Sequence, residues 1–313
     1  MISVIVITCN QEKYIRQAVD SICGQEINCP MEVLIGNDAS KDGTGQILDE
    51  LVGIYNVKVI HRESNLGASR NLYDLLLRCK GDYVAFLEGD DYWIDSQKLQ
   101  KQYDFLEKNP NYIGCTHECL LVNEQGEPML RQKLEWISRE NVYGLRENQG
   151  FYLAGQMGTL MCRNIFKNSR DIYDIIYQAH AMISDRTVQM ILAMEGNLYR
   201  MNLYMSAYRQ ICSKNPTNAT SQYFSRNKHS AYDNFMLTCL LEKYAREYSG
   251  NQEIDFSRTK KMFFTSAVYQ MIKRWSPEII KDIKKILETP GVNKWEYFIF
   301  LPKGILYKII HRK

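Results

Sequence analysis

Four short apolar runs constrain this chain more than any other feature. Ile2–Cys9 (ISVIVITC), Glu32–Ile35, Val57–Ile60 and Tyr83–Leu87 are dominated by β-branched, aliphatic and aromatic residues, and the first and last carry no charge. A strand that is apolar at almost every position is buried on both faces, as in a parallel sheet covered by helices. The intervening segments supply those helices. Glu12–Gln25 has Tyr14, Ile15, Ala18, Val19 and Ile22 at helical spacing. Gln46–Tyr55 puts Ile47, Leu48, Leu51 and Ile54 on one side, and Gly67–Lys80 reads as a third helix. Strand and helix alternate, so the expected fold class is α/β with crossover connections.

The fourth run ends in acids. Tyr83–Leu87 leads straight into Glu88, Gly89, Asp90 and Asp91, then Tyr92 and Trp93. Carboxylates crowded at the end of a buried strand repel one another and lose hydration. A hard divalent cation relieves both, and carboxylate oxygens are its preferred ligands. In open α/β sheets ligands bind outside the carboxyl ends of the strands, where this group would lie. A solvated acidic loop is the plainer alternative.

Beyond Trp93 the pattern loosens. Lys98–Lys108 is predicted helical, Tyr112–Val122 a strand, and Asn123–Glu127 a turn. Gly144–Gly158 is rich in Gly, Asn and Gln and reads as loops, Gly158–Cys162 as a strand, and Arg170–His180 and Asp185–Glu195 as helices. Short strands are expected at Leu198–Met201 and Ser206–Gln210, and a domain boundary at Ser213–Asn218. Ala231–Tyr248, Arg258–Trp275 and Pro277–Leu287 are predicted helices, with Pro277 suited to a first turn. The chain thus divides into residues 1–212, with a nucleotide-binding half (1–91) and an acceptor half (92–212), and a helical region, 213–313.

Composition excludes several classes. The 313 residues carry a net charge of +3, and residues 294–313 hold five basic side chains against Glu296 alone, so the excess is a tail property. Nucleic-acid binding would require a broader basic field. Nine scattered cysteines without a CxxC pair fit a reducing cytoplasm. Ile2–Cys9 is too short for a secretory leader, and no apolar stretch is long enough to span a bilayer. Cys115, His117 and Cys119 would share one face of a strand, but the spacing fits no standard zinc site and they read as core.

Other candidates sit in strand-end loops. Thr8-Cys9-Asn10 ends the first strand and Asn37-Asp38 the second. Asp38 could accept from a base or ribose, or shape its own turn. Asp42 and Thr44 read as turn and cap residues for the next helix. Arg70, opening a helix, could pair with a phosphate or with the acids, or be a surface arginine. Asp185 begins an amphipathic helix with Val188, Ile191 and Leu192 inward, where an N-cap role is the simplest.

Together these segments resemble the inverting glycosyltransferases of family 2, which implies the GT-A fold, a Rossmann-like mixed sheet, here with a C-terminal helical extension. SVIVITCNQEKYIRQAVDSICGQ is similar to the family's first strand and helix, and VLIGNDASKDGT to its nucleobase loop. NLGASRNL resembles the next helix start, FLEGDDYW the metal- and diphosphate-binding DXD segment, and SDRTVQMILAMEGNLYRMNLYMSAYR the catalytic-base region. The resemblance covers Ile2–Arg209. It implies a nucleotide site made by Thr8, Asn10, Asp38, Arg70, Glu88, Gly89 and Asp90, metal ligands Asp90 and Asp91 for Mn²⁺ or Mg²⁺, and Asp185 as general base. It implies a UDP-sugar donor and a glycan or lipid-linked acceptor in surface polysaccharide synthesis. The rival reading is a non-catalytic nucleotide-sugar-binding module on the same fold. A nucleotidyltransferase would want a Gly-rich basic loop at the N-terminus, which this chain lacks. Departures from the family pattern are Asn37 in place of an acid, Glu88 in place of Asp, Ser184 before Asp185, and Ile211 where many relatives have histidine. The segment Trp295–Lys313 mixes aromatics, aliphatics and lysines, a composition suited to peripheral membrane contact.

Overall fold

The computed structural model describes residues 1–149, 152–167, 172–211 and 227–310. The chain forms two compact units, Met1–Asn148 with Tyr152–Ser221, and Gln149–Phe151 with Gln222–Lys313. The boundary expected at Ser213–Asn218 lies outside the described residues.

The first unit is built on a nine-stranded sheet. Its strands are β1 (Ile2–Thr8), β2 (Met31–Asn37), β3 (Val57–His61), β4 (Tyr83–Glu88), β5 (Tyr92–Trp93), β6 (Tyr112–Val122), β7 (Val142–Tyr143), β8 (Met161–Arg163) and β9 (Asn197–Arg209). Their order is β3-β2-β1-β4-β8-β6-β9-β5, with β7 also on β9. The four apolar runs form the parallel half. From β8 onward the sheet is mixed, since β8 is antiparallel to both its neighbours while β6 and β9 run parallel.

Helices α1 (Ile15–Cys23), α2 (Thr44–Val52) and α3 (Ala68–Arg78) are the crossovers, and α4 (Lys98–Lys108) follows β5. Their apolar stripes and the strands' apolar side chains make one core that includes Val4, Val6, Ile22, Ile35, Leu48, Ala85, Leu87 and Leu99. Ile54 departs from the expected stripe: α2 ends at Val52, and Ile54 is exposed. Four shorter or later helices complete the described part: α5 (Leu145–Gln149), a 3₁₀ turn at Met157–Thr159, α6 (Ile175–Gln178) and α7 (Asp185–Glu195).

Four expectations are corrected. The two short strands near 200 are one strand, β9, because Asn202 and Leu203 bulge out: the pairing jumps from His117↔Met201 to Glu118↔Tyr204. The strand at Gly158–Cys162 is only Met161–Arg163, because the Gln156 side chain accepts from Gly158 N and winds the chain into the 3₁₀ turn. The helix at Arg170–His180 is one turn, α6, within the described residues. The region 144–158 contains α5 rather than loops alone.

The second unit is helical: α8 (Ser230–Ser249), α9 (Ser257–Lys273), α10 (Pro277–Glu288) and α11 (Lys294–Ile310). Phe235, Phe264, Ala267, Ile286 and Tyr297 form its core. Buried Glu242 is satisfied by Lys260 at 2.6 Å and Arg246 at 3.2 Å. Among the described residues no helix is long and apolar enough to cross a membrane.

Candidate active site

The C-terminal end of β1 ties two loops together. The Ile7 carbonyl accepts from Gly89 N at 3.0 Å and the Thr8 carbonyl from Asp38 N at 2.9 Å. Buried Thr8 also donates its hydroxyl to Gln11 Oε1 at 2.7 Å. Asn10 has a left-handed backbone, φ 55°, a conformation asparagine tolerates better than most residues. Its N–H donates to Ser40 Oγ at 2.9 Å, and its side-chain oxygen accepts from Lys41 N at 2.7 Å. Asp42 organises the next turn, accepting from Thr44 N at 3.0 Å and Glu12 N at 3.1 Å.

Asp38 is buried, and its carboxylate takes the N–H groups of Leu66 at 2.7 Å and Gly67 at 2.9 Å. It therefore sits against the start of α3, where orphan N–H groups and the helix dipole favour a negative charge. Arg70, one turn in, is exposed, and its guanidinium lies 4.0 Å from the Tyr177 ring centre.

The acids after β4 do converge. Ligand oxygens of Glu88, Asp90 and Asp91 lie within 4.8 Å of one another. Asp90 and Asp91 are buried, while Glu88 is partly exposed. Asp91 is fixed from two sides, accepting from Arg209 N at 2.8 Å on one oxygen and from the Gln156 amide at 2.8 Å on the other. The same amide reaches Glu88 at 3.2 Å. Arg209 is itself buried, donating to the Asp90 carbonyl at 2.9 Å and to Gln17 Oε1 at 2.8 Å, with Tyr14 4.5 Å away.

Burial, then Asp90, then Asp185 push the Glu88 carboxyl up to about 8. Burial, followed by Asp90 and Glu88, holds Asp91 well above the usual carboxylate range. Asp185 is thus close enough to act on Glu88. All four carboxylates also raise the Tyr208 phenol, after burial. Three carboxylates held this close and this deep repel one another, and a divalent cation would relieve that repulsion. Glu88, Asp90 and Asp91 would hold the ion.

Asp185 is the first residue of α7 rather than its cap. Ser184 holds the cap position without a side-chain hydrogen bond, and Asp185 Oδ1 accepts from Arg186 N at 2.8 Å. Position 211, an isoleucine, is buried. Cys115, His117 and Cys119 are buried too, and among the described residues the acidic trio alone has metal-site spacing. Trp93 is core, donating from its ring nitrogen to the Gly158 carbonyl at 3.0 Å. Sequence reasoning missed Gln156 and Tyr208. The one signal for Gln156 was its place in a stretch read as loop beside the sheet.

This sheet order, with an acidic cluster at the end of β4, defines the GT-A class of nucleotide-sugar enzymes. The chain belongs to glycosyl transferase family 2, whose sequence profile matches residues 3–169. An uncharacterised protein of Mycobacterium tuberculosis is 40% identical over 126 residues, 40% of this chain and 36% of the relative. The poly(ribitol-phosphate) beta-N-acetylglucosaminyltransferase TarS of Staphylococcus aureus is 27% identical over 216 residues, 66% of this chain and 33% of the relative. The chain spans about a third of the length of these curated relatives. The solved structure of TarS residues 1–349 with UDP-GlcNAc superposes with TM-score 0.61 at 17% identity, covering 91% of this chain and 79% of that one. The mannosyltransferase PcManGT of Pyrobaculum calidifontis, solved with GDP-Man and Mn²⁺, superposes with TM-score 0.51 at 13% identity, covering 100% and 88%. Both likenesses establish the fold.

Proposed function

We propose that this protein is an inverting glycosyltransferase that moves a sugar from a UDP-sugar to a hydroxyl of a glycan or lipid-linked acceptor in surface polysaccharide synthesis. The observation that carries the reading is the meeting of Glu88, Asp90 and Asp91 at the C-terminal end of β4, with Asp185 of α7 acting on Glu88. TarS, of the same family, is solved with UDP-GlcNAc bound.

The chain's own groups divide the work. Thr8, Asn10 and Gly89 shape the floor on which the nucleotide lies. Each Asp38 oxygen holds one backbone N–H and keeps a lone-pair direction for a base imide or ribose hydroxyl. Arg70, exposed at the start of α3, would pair with a phosphate. Glu88, Asp90 and Asp91 would hold a divalent cation, which when bound would neutralise charge growing on the departing diphosphate. Asp185 takes the proton of the attacking hydroxyl. A single displacement requires no covalent intermediate, so inversion follows.

The protein works in the cytoplasm at the inner face of the membrane. The exposed Trp295 and Ile299 of α11, flanked by Lys294 and Lys303, support that placement.

The test is a donor panel of UDP-, GDP-, dTDP- and CMP-sugars with Mn²⁺ or Mg²⁺, following nucleotide release with and without a crude membrane acceptor. One sugar nucleotide should turn over in a metal-dependent way. Asp185→Asn should lower transfer by about 10²–10⁴-fold while UDP binding persists, as loss of a general base does. Full transfer by that variant would overturn the base assignment.

A further inference from the structure

We propose that the cavity across the Gln156 wall from the acidic cluster is the subsite for an acceptor unit bearing a carboxylate or phosphate beside its hydroxyls; this rests on the transferase reading. The cavity measures about 310 Å³, at the lower end of small-molecule sites. Gly155 and Gln156 line one side, and it is Gln156 whose amide grips Glu88 and Asp91. Glu118 of β6 and Arg200 and Tyr204 of β9 line another. In the sheet, β6 and β9 lie on one side of β4, whereas β1 and β2, whose ends carry Thr8, Asn10 and Asp38, lie on the other. A unit held in this cavity therefore lies on the side of β4 away from the nucleotide loops, the side an attacking acceptor would occupy.

Charge sets the class of ligand. Lys133, Arg139 and Arg200 line the cavity, with Glu118 the one carboxylate among the lining residues. Arg200 is balanced, 3.5 Å from Glu118, and it pins the covering segment by donating to the carbonyls of Ser138 at 2.5 Å and Arg139 at 3.0 Å. Lys133 is 3.9 Å from Glu135. Arg139 is exposed and has no ion-pair partner among the described residues. His117 adds no charge, because burial, then Lys98, holds the imidazole well below its usual range, against the opposing pull of the hydrogen bond that Nδ1–H donates to the Glu118 carbonyl. The net lining is cationic. The phosphates of a nucleotide would lie across β4, so this excess serves a different anion. Tyr204 is 55% exposed and offers a broad aromatic face with a polar tip, suited to a sugar or polyol.

The experiment measures binding to the full chain by ligand-observed NMR with three probes: a glucuronate-containing tetrasaccharide, an oligo(glycerol phosphate) and neutral cellotetraose. One anionic probe should bind about tenfold or more tighter than the neutral one, the scale of a single charged contact, and which one binds separates carboxylate from phosphate. Arg139→Gln should remove most of that advantage and leave cellotetraose binding unchanged. Equal binding of charged and neutral probes, binding of none, or an Arg139→Gln variant with undiminished preference would overturn the proposal. Donor turnover is followed on the same preparations. Turnover without any preference for charge sinks the subsite alone; charge-dependent binding with no sugar nucleotide consumed sinks the transferase reading, and with it the acceptor role, and leaves an anion-binding cavity.

Discussion

Asp38 carries a structural and a recognition role on one carboxylate. Its oxygens hold the Leu66 and Gly67 N–H groups at the start of α3, buried and away from water. Asp38→Ala would leave the Leu66 N–H unsatisfied, worth about 1–3 kcal/mol, and the Gly67 N–H with only its bond to Asn65 Oδ1 at 3.1 Å. Asp38→Asn keeps one acceptor. Thermal denaturation should therefore rank wild type above Asn above Ala, while UDP titration shows both variants weakened; equal stability of Ala and wild type would mean the latch is unimportant. The acids after β4 lead to a second prediction. Glu88 titrates at about 8 in the metal-free fold, above the value of an unfolded glutamate. Between those two values the native state holds a proton that the unfolded chain has released, so this contribution to stability is present at low pH and lost as pH rises through the folded value. Melting temperature in EDTA should fall from about pH 5 to about pH 8, and Mn²⁺ should restore more of it at the higher pH. An Mn²⁺ effect equal at both would contradict the linkage. The acids themselves were legible because carboxylates following a buried run need a reason to be there. Gln156 was not, since an amide in a loop carries no pattern until the fold brings it from before β8 to the end of β4.

At the scale of elements, the close approach of the β1 and β4 C-terminal ends depends on Gly89. A Cβ there would lie 2.4 Å from Gln11 Oε1 and 2.7 Å from Thr8 Oγ1. Gly89→Ala must move the β1 loop or the acids, and overpacking of this kind costs about 1–3 kcal/mol. Denaturant titration should show that loss, and Mn²⁺ binding should weaken with it because Glu88 and Asp90 flank the residue. An alanine variant as stable as wild type would show that the two loops are not held as closely as the fold requires. Strands buried on both faces were readable almost to the residue, as β1, β4 and β6 show, because every position is constrained. β9 was not. Asn202, Leu203 and Tyr204 face solvent at its bulge and break the apolar run, so one long strand looks like two. Similarly, the 3₁₀ turn at Met157–Thr159 follows from the Gln156 side chain, a tertiary choice that periodicity does not report.

For the molecule as a whole, the α/β class followed from the alternation of strand and helix. The mixed half of the sheet followed only from the family resemblance and not from periodicity, because β8 is three residues long and its neighbours are far apart in sequence. Three of the four helices of the second unit were legible in the sequence, the third helped by Pro277, whereas Lys294–Ile310 was read for its composition, which suits contact with a membrane. On α11, Trp295, Phe298 and Ile299 fall at i, i+3 and i+4 and so share a face, with relative exposures of 78%, 48% and 73%. Lys294 and Lys303 flank them. Exposed apolar rings beside lysines suit an anionic headgroup layer, where the rings enter the boundary and each lysine adds about 1 kcal/mol. Fully burying one such side chain is worth about 1.5–3 kcal/mol, so Trp295→Ala with Ile299→Ala should weaken vesicle binding by about tenfold or more. Cosedimentation of the full chain should be strong with phosphatidylglycerol-containing vesicles, weaker with phosphatidylcholine alone, and reduced by salt. Binding that ignores headgroup charge, or that survives the double substitution, would place the contact elsewhere on the chain or remove it altogether.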